Sequence, residues 1–229
     1  MRMAEALHPR QNLNVIPLTR DTMQDRVYRQ VCDLILDGEI IPGQLVTIHG
    51  LADAFGVSAM PVREALKRLT AAKALTVVSG RSIGIPPLSQ ERLLDLRNVR
   101  IEVEALAGQW AAVHITQAEL ERLAEACHVL ETANAVGDAR TYLRANHAFH
   151  FSIYRAARSE SLLAIIETLW LQISPYFNLL RGSGNYASAN RQHQAMLDAL
   201  AARDGAAVAA AMRSDIEAAY GILKKLVDS

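Results

Sequence analysis

Cysteine, net charge and long apolar runs are all scarce in this chain of 229 residues. Its two cysteines, Cys32 and Cys127, are far apart and sit in helical patterns. A disulfide-stapled scaffold is thereby excluded, and buried free thiols in a reducing compartment are expected. Lys+Arg and Asp+Glu are 24 each, so bulk charge is silent about partners. No stretch approaches the ~18 uninterrupted apolar residues of a membrane helix. No apolar run after Arg2 has the form of a signal peptide. The expectation is a cytoplasmic protein with no membrane partner.

What is present is apolar content, 51%, on a length comfortable for two domains. Charge is unevenly spread. Residues 1–88 carry ten basic and eight acidic side chains, and residues 89–229 carry fourteen and sixteen. From Ala59 to Arg81 stand Arg63, Lys67, Arg68, Lys73 and Arg81 against one acid, Glu64. A local cationic patch on a neutral protein suits a polyanion met at one place.

The patch lies on a short helix. Gly56-Val57-Ser58 reads as a tight turn, with Ser58 as N-cap and Pro61 in the first turn, where a missing N–H costs nothing. Val62, Ala65, Leu66 and Leu69 recur at helical spacing, and Arg63, Lys67 and Arg68 stand outside that stripe. Such a helix fits a duplex major groove.

The rest of the chain frames it. Residues 1–20, with Pro9 and Pro17, read as a loose arm. Asp21 or Thr22 caps a helix over Met23–Asp37 that Gly38 stops. Ile41-Pro42-Gly43 is a type II turn. Thr47 caps Ile48 to Phe55, and the cationic helix follows directly, a helix-turn-helix pattern. Thr76-Val77-Val78 and Ser82-Ile83-Gly84-Ile85 form a hairpin with Arg81 at its tip. The predicted unit over residues 21–88 is therefore a winged helix-turn-helix. Residues 89–229 read as an all-α bundle of about six helices: Gln90–Ala112, a second ending near Gly137 after a Thr116/Glu119 capping box, Ala139–Ala157, Leu162 to Ile173, Ser188 to Ala202, and Gly205–Leu226. The fold class is mainly α.

These stretches resemble the GntR family of bacterial transcription regulators. The resemblance is carried by Ile41-Pro42-Gly43-Gln44-Leu45, Leu51-Ala52, Gly56-Val57-Ser58 and Pro61-Val62-Arg63-Glu64-Ala65-Leu66-Lys67-Arg68-Leu69. The second half resembles that family's FCD ligand-binding domain, through Arg100 with Glu104, Asn146-His147-Ala148-Phe149-His150, and His193-Gln194-Ala195-Met196-Leu197-Asp198-Ala199-Leu200. Ala59 directly follows the capping serine, where the family commonly has Arg, and Met60 comes next, so the usual operator preference does not carry over, though DNA binding itself does. Many relatives hold a metal through an Asp and three His. Here Asn146 stands in the Asp position, His150 and His193 match, and Asp215 stands in the position of the third His.

The resemblance implies two sites. In the DNA site Arg63 reaches a guanine or a phosphate, Lys67 and Arg68 reach backbone, Ser58 and Met60 lie at the helix start, and Arg81 enters the minor groove. In the bundle, Asn146 and His150 are four apart on one face, and His193 and Asp215 approach from later helices. That donor set suits Zn²⁺, Ni²⁺ or Mn²⁺ with positions left for water or an effector carboxylate. The alternative is that both histidines are hydrogen-bonded core residues. Arg100 either pairs with an anionic effector or forms a salt bridge to Glu104 at i,i+4.

The function expected is a DNA-binding regulator, a repressor, acting as a homodimer on a double-stranded operator. A small effector of the organic acid class, bound by Arg100, Asn146, His150 and His193, modulates it. Two alternatives stay open: a metal-dependent enzyme using the bundle site, and a DNA binder without an effector. Against the enzyme, no good general base or nucleophile stands beside the candidate ligands.

Overall fold

The computed structural model describes residues 22–79, 82–181 and 183–228. The expected arm over residues 1–20 lies outside them. Helix α1, Met23–Leu36, starts where the Thr22 side chain accepts from the Asp25 backbone N–H, so Thr22 is the cap. It buries Val27, Val31 and Ile35, one face at helical spacing. Gly38 then adopts a left-handed φ of +72°. The bundle also approaches it closely: a Cβ there would stand 2.7 Å from Asn178 Nδ2.

The turn at Ile41–Gln44 closes with a backbone bond of 3.1 Å. Then comes a feature that the sequence reading lacked, strand β1, Leu45–Thr47. Three residues carry no readable alternation of their own. They become a strand because β3, Ser82–Gly84, offers an open edge, with Val46 opposite Ile83. The other edge of β3 holds β2, Thr76–Ser79, so the antiparallel sheet runs β1-β3-β2. Arg81, expected at the hairpin tip, lies outside the described residues.

Thr47 caps helix α2, Ile48–Phe55, by accepting from Gly50 N–H at 3.0 Å. Gly56, in the left-handed region, ends it. Helix α3, Ala59–Ala71, buries Pro61, Val62, Ala65, Leu66 and Leu69. These side chains meet Val27, Val31 and Ile35 of α1 in one core.

The bundle contains α4, Gln90–His114; α5, Gln117–Val136; α6, Ala139–Ala156; α7, Glu160–Ile173; α8, Asn185–Ala201; and α9, Gly205–Val227. Six helices is the number the periodicity predicts. Two starts differ. Capped by Ser159, α7 begins at Glu160, earlier than Leu162, and α8 begins at Asn185, earlier than Ser188. The break at Ser174-Pro175 is a 3₁₀ helix, Ser174–Leu180, whose aromatic residues Tyr176 and Phe177 are buried. Helices α4 and α9 pack most extensively, with Gly108 of α4 against Val208. No helix among the described residues is long and apolar enough to cross a membrane.

Candidate DNA-reading face and metal site

Helix α3 presents Met60, Arg63 and Lys67 outward, Met60 at 56% exposure. Arg63 forms no ion pair among the described residues, and Lys67 pairs with Glu64 of the same helix at 2.8 Å in the open. Both stand on the rim of a shallow hollow floored by Leu66, Val77 and Ile83, between α3 and the sheet. Ser58 occupies the N-cap position with extended backbone, yet its hydroxyl makes no cap hydrogen bond. The expected capping bond is therefore absent. The exposed helix start keeps its N–H groups for an outside acceptor.

Arg68, expected in the same cationic front, has partners within the protein. Its guanidinium bonds Asp25 of α1 at 3.0 Å and lies over the Tyr28 ring, 3.8 Å from the centroid. It is turned toward α1, not along the face that carries Arg63 and Lys67. One residue of difference along a helix rotates a side chain by about 100°, which is enough to bring Arg68 against α1 while 52% of its side chain stays exposed.

In the bundle, three helices bring their side chains to one point. His150 of α6 and His193 of α8 are buried, with their Nε2 atoms 3.2 Å apart. From α9, Asp215 places Oδ2 3.5 Å from His150 Nε2 and Oδ1 4.0 Å from His193 Nε2. The ligand atoms of all three lie within 4.8 Å of one another. Around a tetrahedral ion with bonds of about 2.0–2.1 Å, donor atoms stand about 3.3 Å apart. The spacing of the two nitrogens fits that, and the two-imidazole, one-carboxylate set is common zinc and nickel chemistry.

Electrostatics agree with cation binding. Burial pushes His193 down to about 3, against the pull of Asp215, so the ring is neutral and can offer a lone pair. Asp215 is driven up by burial, but the His150 contact and the positive charge nearby, Arg100 included, outweigh this and hold it below the usual carboxylate range. It is therefore anionic at neutral pH. Among the described residues His193 Nδ1 is buried with no hydrogen-bond partner.

Asn146 lies one turn before His150 and lines a small cavity of about 30 Å³ together with Asp215, Tyr142, Asn185 and Tyr186. Arg100 does not line it. The structure shows the second of its two readings: Arg100 Nε donates to Glu104 Oε1 at 2.6 Å, and both side chains are buried. Burial pulls the guanidinium down, and the Glu104 carboxylate more than restores it. The sequence reading missed Tyr154, whose hydroxyl donates to Glu104 and meets His150 Nδ1. Its spacing of four from His150 on α6 was the available signal.

The family described as "Bacterial regulatory proteins, gntR family" matches residues 23–85, and the FCD domain matches residues 95–218. The HTH-type transcriptional regulator McbR of Escherichia coli is 31% identical over 171 residues, covering 73% of this chain and 77% of that one. The solved structure of E. coli McbR/YncC superposes with a TM-score of 0.82 at 26% identity, over 90% of this chain and 99% of that one. The HTH-type transcriptional repressor GlaR of E. coli is 28% identical over 203 residues, 82% of this chain and 90% of that one. A GntR regulator structure from Rhodococcus sp. RHA1 shares the fold, with a TM-score of 0.71 at 23% identity, over 87% of this chain and 97% of that one. The chain belongs to the GntR family, as a DNA-binding transcription regulator with an FCD effector domain and not an enzyme.

Proposed function

We propose that this regulator is a cytoplasmic, homodimeric repressor whose operator affinity answers to a small organic acid bound beside a divalent metal. In this reading residues 21–88 form the DNA-binding unit and residues 89–229 the effector and dimerisation unit. The observation that carries it is the convergence of His150, His193 and Asp215 in a chain whose α3 shows a cationic front. His150, His193 and Asp215 would hold Zn²⁺, Ni²⁺ or Mn²⁺, with Asn146 as the fourth protein donor from the adjoining cavity. The ion supplies a Lewis-acidic anchor for a carboxylate. Arg100, engaged by Glu104, is not an effector residue in this reading.

The cavity beside Asp215 has room for about one water-sized group. A larger acid enters by parting Tyr142 and Tyr186, whose rings stack 3.8 Å apart at its wall. It shifts the regulator only by binding one arrangement of the bundle better than the other. Ser58, Met60, Arg63 and Lys67 meet the operator, with Arg81 as the expected minor-groove contact. Dimerisation is supported by an exposed stripe on α4 — Val99, Leu106, Trp110 and Val113 — at spacings of seven, four and three. Two half-sites then add affinity that one short helix lacks. GlaR and a xylose-operon regulator of Paenarthrobacter nicotinovorans carry repressor in their names, which supports the sign of the response.

Native mass spectrometry with metal analysis tests the assembly. A dimer with one divalent ion per protomer is expected, and a metal-free monomer overturns it. Retardation of the promoter fragment beside its own gene should weaken with salt. Equal retardation of any duplex overturns the operator reading.

A further inference from the structure

We propose that Arg100, Glu104 and Tyr154 are positioning residues that fix the tautomer of His150, so that its Nε2 lone pair faces His193 and Asp215. The use of that lone pair for a metal rests on the proposed metal site. The hydrogen-bond argument does not.

The chain of contacts has one consistent direction. Arg100 gives Glu104 two hydrogen bonds, Nε to Oε1 at 2.6 Å and Nη2 to Oε2 at 3.3 Å. An ionised carboxylate only accepts, so the Tyr154 hydroxyl must donate to Glu104 Oε2. A phenol has one proton, and here it is committed. The Tyr154 oxygen also lies 3.3 Å from His150 Nδ1. That contact is a hydrogen bond only if Nδ1 carries the proton and the phenol oxygen accepts it. The neutral ring is then the Nδ1–H form. Its other nitrogen, Nε2, keeps a lone pair at 3.2 Å from His193 Nε2 and 3.5 Å from Asp215 Oδ2.

Nothing in the relay is loose. Glu104 is fully buried and Tyr154 is 1% exposed. Trp170 and Phe177 flank Arg100, with its guanidinium carbon 5.6 and 5.7 Å from their ring centroids. The competing tautomer, Nε2–H donating to Asp215 at 3.5 Å, would gain that longer contact but set two lone pairs, Nδ1 and the phenol oxygen, against each other at 3.3 Å. His193 has no such support, since its Nδ1 is unpartnered. The two imidazoles thus differ: one is held by a carboxylate–tyrosine pair, and the other takes its form from the point it faces.

The test is long-range ¹H–¹⁵N NMR of the full-length, metal-free protein at neutral pH, which reads each histidine tautomer directly. The wild type should show His150 as Nδ1–H, and finding it as Nε2–H overturns the proposal without any variant. Tyr154→Phe removes only the hydroxyl, so His150 should lose its single tautomer. An unchanged tautomer in that variant also overturns the proposal. Zn²⁺ titration should then show affinity about 10–100-fold weaker in Tyr154→Phe. If wild-type protein binds no Zn²⁺, the metal reading fails while the tautomer measurement still decides the relay.

Discussion

Arg144 of α6 donates to Asp37 at the end of α1 across 2.8 Å, joining the helix-turn-helix unit to the helix that carries Asn146 and His150. Arg144 also lies 3.5 Å from Glu39, and Arg140, one turn earlier on α6, pairs with Glu39 as well. Two uncharged ties run parallel. Asn178 Nδ2 donates to Gly38 O at 3.3 Å, and Ser174 Oγ to Ile35 O at 3.5 Å. These contacts stand one or two turns from the candidate metal point on α6 and would carry a shift there to the base of the DNA-binding unit.

Replacing Arg140 and Arg144 together by alanine tests this coupling. Both arginines are half exposed or more, so global stability should change by no more than about 1 kcal/mol per pair. Hydrogen exchange of the amides from Asp37 to Ile40 should accelerate, since their anchoring carboxylates lose their partners. Unchanged exchange there, with α6 intact, would remove the coupling role.

Arg63 and Arg68 should separate in a binding titration, although they are five residues apart on one helix. Arg63→Ala should lower operator affinity. If its contact is a phosphate, the slope of affinity against salt falls by about one. Arg68→Ala should leave that slope alone and lower thermal stability instead, because it strips Asp25 and Tyr28 of their partner. Equal salt slopes in Arg63→Ala and wild type, with equal affinity, would take Arg63 out of the interface.

The thiols give a pH dependence whose sign can be worked out. Burial raises Cys32 and Cys127 from 9.0 to about 11. A folded-state value above the unfolded one contributes stability that is complete below pH 9 and lost as pH rises toward 11. Unfolding midpoints should therefore fall over that window, and a double Cys→Ser variant should flatten the decline. Alkylation by iodoacetamide at pH 8 should be slower than for a free thiol by on the order of 100-fold, the thiolate fraction setting the rate.

Gly108→Ala should destabilise the bundle. A Cβ there would stand 2.8 Å from Cγ1 of Val208, a fully buried, β-branched side chain that cannot rotate away. Overpacking of this kind costs about 1–3 kcal/mol, and the helix propensity gained from losing glycine returns only about 0.5–1 kcal/mol. Urea denaturation should show the net loss, and a gain would mean that α4 and α9 are not held at this distance.

Sequence alone determined the parts that local chemistry settles. Thr47, Thr116 and Asp138 cap helices because a side-chain oxygen reaches an N–H three residues on, although Ser58 at the start of α3 makes no such bond. Gly56 and Gly137 end helices because the left-handed backbone is cheap for glycine. The stripe Val62, Ala65, Leu66 and Leu69 is buried, as its period requires. Residue identity at the motif positions also located His150, His193 and Asp215, though not how they meet. Tertiary structure decided the partners. It paired β1 with β3, gave Arg68 to Tyr28 and Asp25, gave Arg100 to Glu104, and set Tyr154 between Glu104 and His150. Each of these depends on a crossing of two elements or a rotation about a helix axis. Such geometry is fixed by packing volume across the whole core, and no window of neighbouring residues contains it.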